Sequence, residues 1–127
     1  MKIITNALSD RGSRYAVSGG PVAGRAGALA FIAELKRQKR FAKATHNSWA
    51  LWVSAPDAAP DPVKSDDGEA GAGAIILRLL EAEGLCDHIV VVTRWYGGVK
   101  LGGDRFRHVQ QAVRLYLDSL AAEGMAG

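Results

Sequence analysis

Residues 89–98 read Ile-Val-Val-Val-Thr-Arg-Trp-Tyr-Gly-Gly, and the fold turns on the first five of them. An unbroken β-branched run without polar alternation predicts a strand covered on both faces or lying at the centre of a sheet. Arg94 and Tyr96 then carry the chain off that strand into a glycine-rich loop. Beyond the loop, Phe106, Val109, Val113, Tyr116, Leu117 and Leu120 recur at helical spacing. They predict a last helix from about Asp104 to Ala122, with Asp104 as its N-cap.

Working back from the run, Ile75, Ile76, Leu79 and Leu80 share one face of a helix expected to start near Gly68-Glu69 and to end at Gly84. Residues 55–65 contain Pro56, Pro60 and Pro62 and read as the one long loop, because each proline removes a backbone donor and fixes φ. Thr45, Asn47, Trp49, Leu51 and Val53 alternate with His46, Ser48, Ala50 and Trp52, as in a strand with bulky residues on both faces. Residues 22–40 carry Ala28, Leu29, Ile32 and Leu35 at near-helical spacing and predict the first helix. Residues 2–8 and 13–18, joined by Ser9-Asp10-Arg11-Gly12, predict a β-hairpin. The order β-β-α-β-α-β-α predicts an α+β domain, a two-layer sandwich in which a mixed sheet carries its helices mainly on one face.

The chain has 127 residues, 48% hydrophobic and 23% charged, which is enough apolar surface for one core. A single domain over 1–127 is expected. Its longest apolar stretches are far shorter than the roughly 20 residues a membrane helix needs, so no membrane association is expected. The lone Cys86 cannot form an internal disulfide, which favours a reducing, cytoplasmic setting. Net charge is +3 but uneven. Residues 1–64 carry ten Lys or Arg against four Asp or Glu, whereas residues 65–127 carry six against nine. Lys36, Arg37, Lys39, Arg40 and Lys43 form a basic run without an acid. It suits phosphates or an acidic surface, and equally a solvated helix end favoured by the macrodipole.

Asp66, Asp67 and Glu69 precede the small residues Gly71-Ala72-Gly73-Ala74. As acids at a helix start they read first as caps, with the small residues admitting another backbone closely. The other reading places them in a shared cleft, as ligands for a hard cation or as acceptors for a partner's basic groups. The loop Gly97-Gly98-Val99-Lys100-Leu101-Gly102-Gly103 lies between a strand and a helix, where backbone amides can cradle anions. It lacks the Lys-Ser/Thr of a phosphate loop and the G-x-G-x-x-G spacing of a dinucleotide site. No nucleotide cofactor is therefore expected, although Arg94, Lys100, Arg105 and Arg107 surround the loop. His46, His88 and His108 lack the i, i+4 spacing of a helical zinc site, and no metal is expected. No serine or cysteine nucleophile pattern is present, so no catalytic residue is assigned. His46, Asn47, Asp66, Asp67, Glu69 and Arg94 are expected to meet at the ends of their elements and form a polar site beside the glycine loop.

Lys43-Ala44-Thr45-His46-Asn47, Asp66-Asp67-Gly68-Glu69, Val91-Val92-Thr93-Arg94-Trp95-Tyr96-Gly97-Gly98 and Leu101-Gly102 occur in this order across most of the chain. Together they resemble the IMPACT and YigZ family, and the segment from Arg94 to His108 looks closer to the IMPACT form. The resemblance implies a domain similar to those of ribosomal proteins and of a translocation elongation factor. In that family, the eukaryotic members restrain a kinase that halts translation initiation by competing for its ribosome-associated activator, and the resemblance implies a stand-alone version of the shared domain. Family members carry a further domain, N-terminal in IMPACT and ferredoxin-like at the C-terminus in YigZ; the 127 residues are expected to hold neither.

The expected function is thus a non-enzymatic regulator of translation or stress response that binds RNA, the ribosome or a ribosome-associated protein. Contacts are expected from the polar site, from Tyr96, Gly97, Gly98, Lys100 and Arg105, and from the basic run. Two alternatives stand beside it: a hydrolase-like enzyme using His46 with Asp66, Asp67 or Glu69, and a protein-interaction module without RNA contact.

Overall fold

A computed structural model describes residues 1–126. Its elements are β1 (Lys2–Asp10), β2 (Ser13–Pro21), α1 (Gly24–Lys36), α2 (Lys39–Ala42), β3 (His46–Ala55), β4 (Ala58–Ser65), α3 (Ala72–Ala82), β5 (His88–Trp95) and α4 (Asp104–Ala126). The five strands form one sheet in the order β1-β2-β5-β3-β4. The β-branched run of β5 is central: it pairs with β2 from Arg14↔Trp95 to Pro21↔His88, and with β3 from His46↔Arg94 to Ala50↔Val90. Val90 and Val92 pack beneath α3 and α4, while Ile89 and Val91 pack beneath α1 and α2. Coverage on both faces is why no polar residue interrupts the run.

The α+β class stands, with two corrections to its detail. Every strand pair is antiparallel, so the sheet is not mixed. β2 and β3 run the same way, as do β4 and β5, but another strand lies between the members of each pair and no parallel ladder forms. Helices also cover both faces, α3 and α4 on one and the shorter α1 and α2 on the other. The units β2-α1-β3 and β4-α3-β5 are related by a half-turn about the sheet normal, yet their helices lie on opposite faces. The two crossovers therefore have opposite hands, and one of them departs from the right-handed rule.

Residues 55–65 are a further correction. They form not a loop but the end of β3, a two-residue turn and the edge strand β4, which runs in antiparallel register with β3 from Trp49↔Ser65 to Ala55↔Ala58. An edge needs hydrogen bonds on one side only, so Pro60 and Pro62 fit there. The first helix is split, because Gln38 is extended between α1 and α2. Leu29 faces solvent and Phe31 takes the core position in its place. The hairpin forms as expected, with Arg11 and Gly12 both at positive φ in a two-residue turn. Among the described residues no helix is long and apolar enough to cross a membrane.

The register brings the end of β1, the starts of β2 and β3, and the ends of β4 and β5 to one end of the sheet. The polar residues singled out above gather there.

Candidate functional site

Side chains alternate along a strand, so the last residues of β5 divide between the two faces. Arg94 points to the α3/α4 face, in a row with its cross-strand neighbours Tyr15 and His46. Trp95 points to the other face with its neighbour Arg14. Tyr96, one residue past the strand, sits between the two sides and borders a cleft on each.

The first cleft, of about 550 Å³, lies between the start of β3, the end of β5 and the start of α4, and its lining includes His46, Glu69, Arg94, Tyr96, Lys100 and Arg105. Arg94 is only 6% exposed and Glu69 only 2%. The Arg94 Nη1 donates to both Glu69 oxygens, at 3.0 and 3.2 Å. Burying such charges requires pairing of this kind. Arg105 approaches the same carboxylate at 3.8 Å, and with Lys100 the charged lining is three cations to one anion. The Nε atoms of Arg94 and Arg105 are buried without a hydrogen-bond partner. His46 Nδ1 lies 2.8 Å from the carbonyl of Asp67. A carbonyl only accepts, so Nδ1 carries the proton and Nε2 is the free ring nitrogen.

Two further contacts fix the rim. The Thr45 hydroxyl accepts the Tyr96 amide at 2.9 Å, and the Ser13 hydroxyl accepts the Gly97 amide at 3.2 Å. A Cβ on Gly97 would stand 2.0 Å from the Gly12 carbonyl carbon, so glycine is required where the loop lies against the hairpin turn. Behind Arg94, burial pushes the Tyr15 hydroxyl up to about 12, against the opposing pull of the guanidinium, and it stays neutral. His108 donates from Nε2 to Asp10 at 2.8 Å, and Asp10 is held below the usual carboxylate range by Arg11 and His108. This ties the hairpin to α4.

The second cleft, of about 450 Å³, is bounded by Asn6, Gly12, Arg14, Arg40, Trp95 and Tyr96. The Arg40 guanidinium lies 4.9 Å from the Trp95 ring centroid. The Trp95 Nε1 in turn donates to the Arg40 carbonyl at 2.9 Å.

Of the polar residues expected to meet, His46, Glu69 and Arg94 line one cleft, joined there by Tyr96, Lys100 and Arg105. Asp66 turns to α3, its carboxylate accepting the amides of Gly71 and Gly73 at 3.0 and 2.7 Å. Burial raises its pKa, but these two backbone donors outweigh that and hold it below the usual range. Because Asp66 caps from five residues away, α3 begins at Ala72 and not near Gly68-Glu69. What crowds the small residues is side chain, not backbone: a Cβ on Gly73 would meet the Asp66 carboxylate at 2.9 Å. The Asp67 carboxylate accepts the Asn47 amide at 2.7 Å. The Asn47 side chain leaves the cleft, donating to the Phe41 carbonyl and accepting from Thr93. All three carboxylates are thus engaged elsewhere, and none orients His46 as the hydrolase arrangement requires.

Asp104 opens α4, but its carboxylate pairs with Arg11 and Arg107 instead of capping amides. Arg107 lies outside both clefts. Of the basic run only Arg40 borders a cleft; Lys36, Arg37, Lys39 and Lys43 are exposed outside both, and Arg37 pairs with Glu34. Gly97 and Gly98 lie exposed on the loop between β5 and α4. The sequence reading missed Arg14 and Asn6: the β2–β5 register sets Arg14 beside Trp95, and Asn6 lies where the β1–β2 register shifts between Ile4 and Leu8.

The Impact N-terminal domain family matches residues 11–117 of the chain. Protein IMPACT of Bos taurus is 38% identical over 108 residues, covering 84% of this chain and 34% of that protein. The Protein IMPACT homolog of Saccharomyces cerevisiae is 34% identical over 109 residues, 84% of this chain and 42% of its own length. The chain thus spans well under half of these relatives. Among solved structures, the two-domain translational regulator Yih1 matches with a TM-score of 0.55 at 34% identity, over 83% of this chain and 41% of that one. A hypothetical protein matches more closely in shape, with a TM-score of 0.73 at 28% identity, over 91% of this chain and 59% of that one. With this match over residues 11–117 and relatives 34–38% identical over 84% of the chain, the chain belongs to the Impact N-terminal domain family.

Proposed function

We propose that this chain regulates translation by binding, engaging the ribosome through its RNA or through a ribosome-associated protein, in the cytoplasm and without catalysing a reaction. One observation carries the reading: a cleft whose charged lining is three cations to one carboxylate, with Arg94 held rigidly at its base. Fixed cations in a concave site attract polyanionic partners and steer their approach. Similarity to a structure described as that of a translational regulator sets the context in which such a partner is sought. The carboxylates that a hydrolase needs are bound to backbone amides or to Arg94, which favours binding over catalysis.

The test is sedimentation of the tagged chain through a ribosome gradient at low and moderate salt. Comigration with ribosomal particles that weakens as salt rises is expected. A chain that stays at the top of the gradient at both salts would overturn the proposal.

A further inference from the structure

The two clefts share Tyr96, and this deepens the reading above, on which it rests, by naming a ligand. We infer that the chain holds one single strand of RNA across Tyr96, with phosphates in both clefts and a base stacked on the tyrosine ring. Arg94, Lys100 and Arg105 lie on one side of that ring, and Arg14 and Arg40 on the other. Tyr96 itself is 48% exposed. Its backbone is held by Thr45, and the Arg94 guanidinium lies 5.8 Å from its ring centroid. The ring thus stands on an anchored backbone, with cations lining the cleft on either side of it. A single strand alternates charge and flat base in the same way, and stacking on an aromatic platform between basic grooves is how such strands are held. A duplex hides its base faces, and an acidic protein surface does not repeat charge and exposed flat ring at the regular spacing of a nucleic-acid strand.

The experiment is fluorescence anisotropy of the full chain with a labelled single-stranded RNA of about eight nucleotides, within the usual site size, and with the same sequence as a duplex. The single strand is expected to bind more tightly. Tyr96→Ala weakens it roughly tenfold to a hundredfold at fixed salt while leaving the salt slope alone. Arg14→Gln and Lys100→Gln each reduce that slope by about 0.7. Arg78→Gln, exposed on α3 and away from both clefts, changes neither. The three altered cleft residues are exposed, and circular dichroism checks that each variant folds. Absent binding, a duplex bound equally well, or an unaffected Tyr96→Ala would overturn the inference. Sedimentation with ribosomes that survives Tyr96→Ala would overturn it too, while leaving the proposed function in place.

Discussion

The basic run at residues 36–43 and the cleft around Arg94 both hold concentrated positive charge, yet they are built differently. Lys36, Arg37, Lys39 and Lys43 stand in water, where charges are screened within about 10 Å at moderate salt and each side chain keeps its rotamer freedom. Arg94 is buried against Glu69, and its position is set by β5, the turn that leads into α3 and the start of β2 together. The run contributes field; the cleft contributes geometry. Charge density along a sequence therefore finds the first kind of region and overlooks the second.

The most severe break in this contrast is Arg94→Met. It leaves Glu69 buried with only the distant Arg105 as a partner, and removing one member of such a pair costs about 3–5 kcal/mol. Urea unfolding monitored by tryptophan fluorescence should show a large drop in midpoint. Adding Glu69→Gln should recover part of it, because the orphaned charge is then gone.

A smaller effect tests the capping role given to Asp66. Asp66→Ala should cost about 1–2 kcal/mol at neutral pH, read from the same unfolding curves. The pKa of Asp66 is depressed below 3.8 in the folded chain, so its contribution is full above that value and is lost as pH falls through the lower, folded value. The gap between parent and variant should close in acid. A gap that stays constant down to the acid limb would show that the carboxylate does not cap.

The finest test divides the basic run itself. Lys39→Gln and Arg40→Gln should each change stability by less than about 0.5 kcal/mol. Only Arg40→Gln, which empties a cation from the second cleft, should lower the salt slope of RNA binding, by about 0.7. Equal slopes for the two variants would erase the distinction between field and geometry.

Much of the fold was legible because local pattern and tertiary setting agree. The unbroken β5 run announced a strand covered on both faces, and Asp10-Arg11-Gly12 announced its turn. β4 was not legible, since proline reads as a breaker until the neighbouring strand shows that only one side needs donors. Nor was the interleaving of strands, which depends on contacts between residues far apart in sequence. In the site, His46, Glu69 and Arg94 were readable as polar residues at element ends. Asn47 misled because alternation was judged without knowing which face held the cleft. Arginine is seldom fully buried, so nothing in the sequence announced that Arg94 would be.

The interleaved strand order also has a consequence for how the chain is made. β2 and β3 are joined only through β5, which is synthesised after both. During elongation the hairpin and the β3-β4 pair emerge with inner edges unpaired, and the 30 residues from Asp66 to Trp95 take about 1.5–6 s to add. For that interval two apolar strand edges stand open, spaced to accept whichever strand reaches them first. Neither half is a viable fragment, and a ribosome stalled within this stretch would present a nascent chain ready to pair with the wrong neighbour.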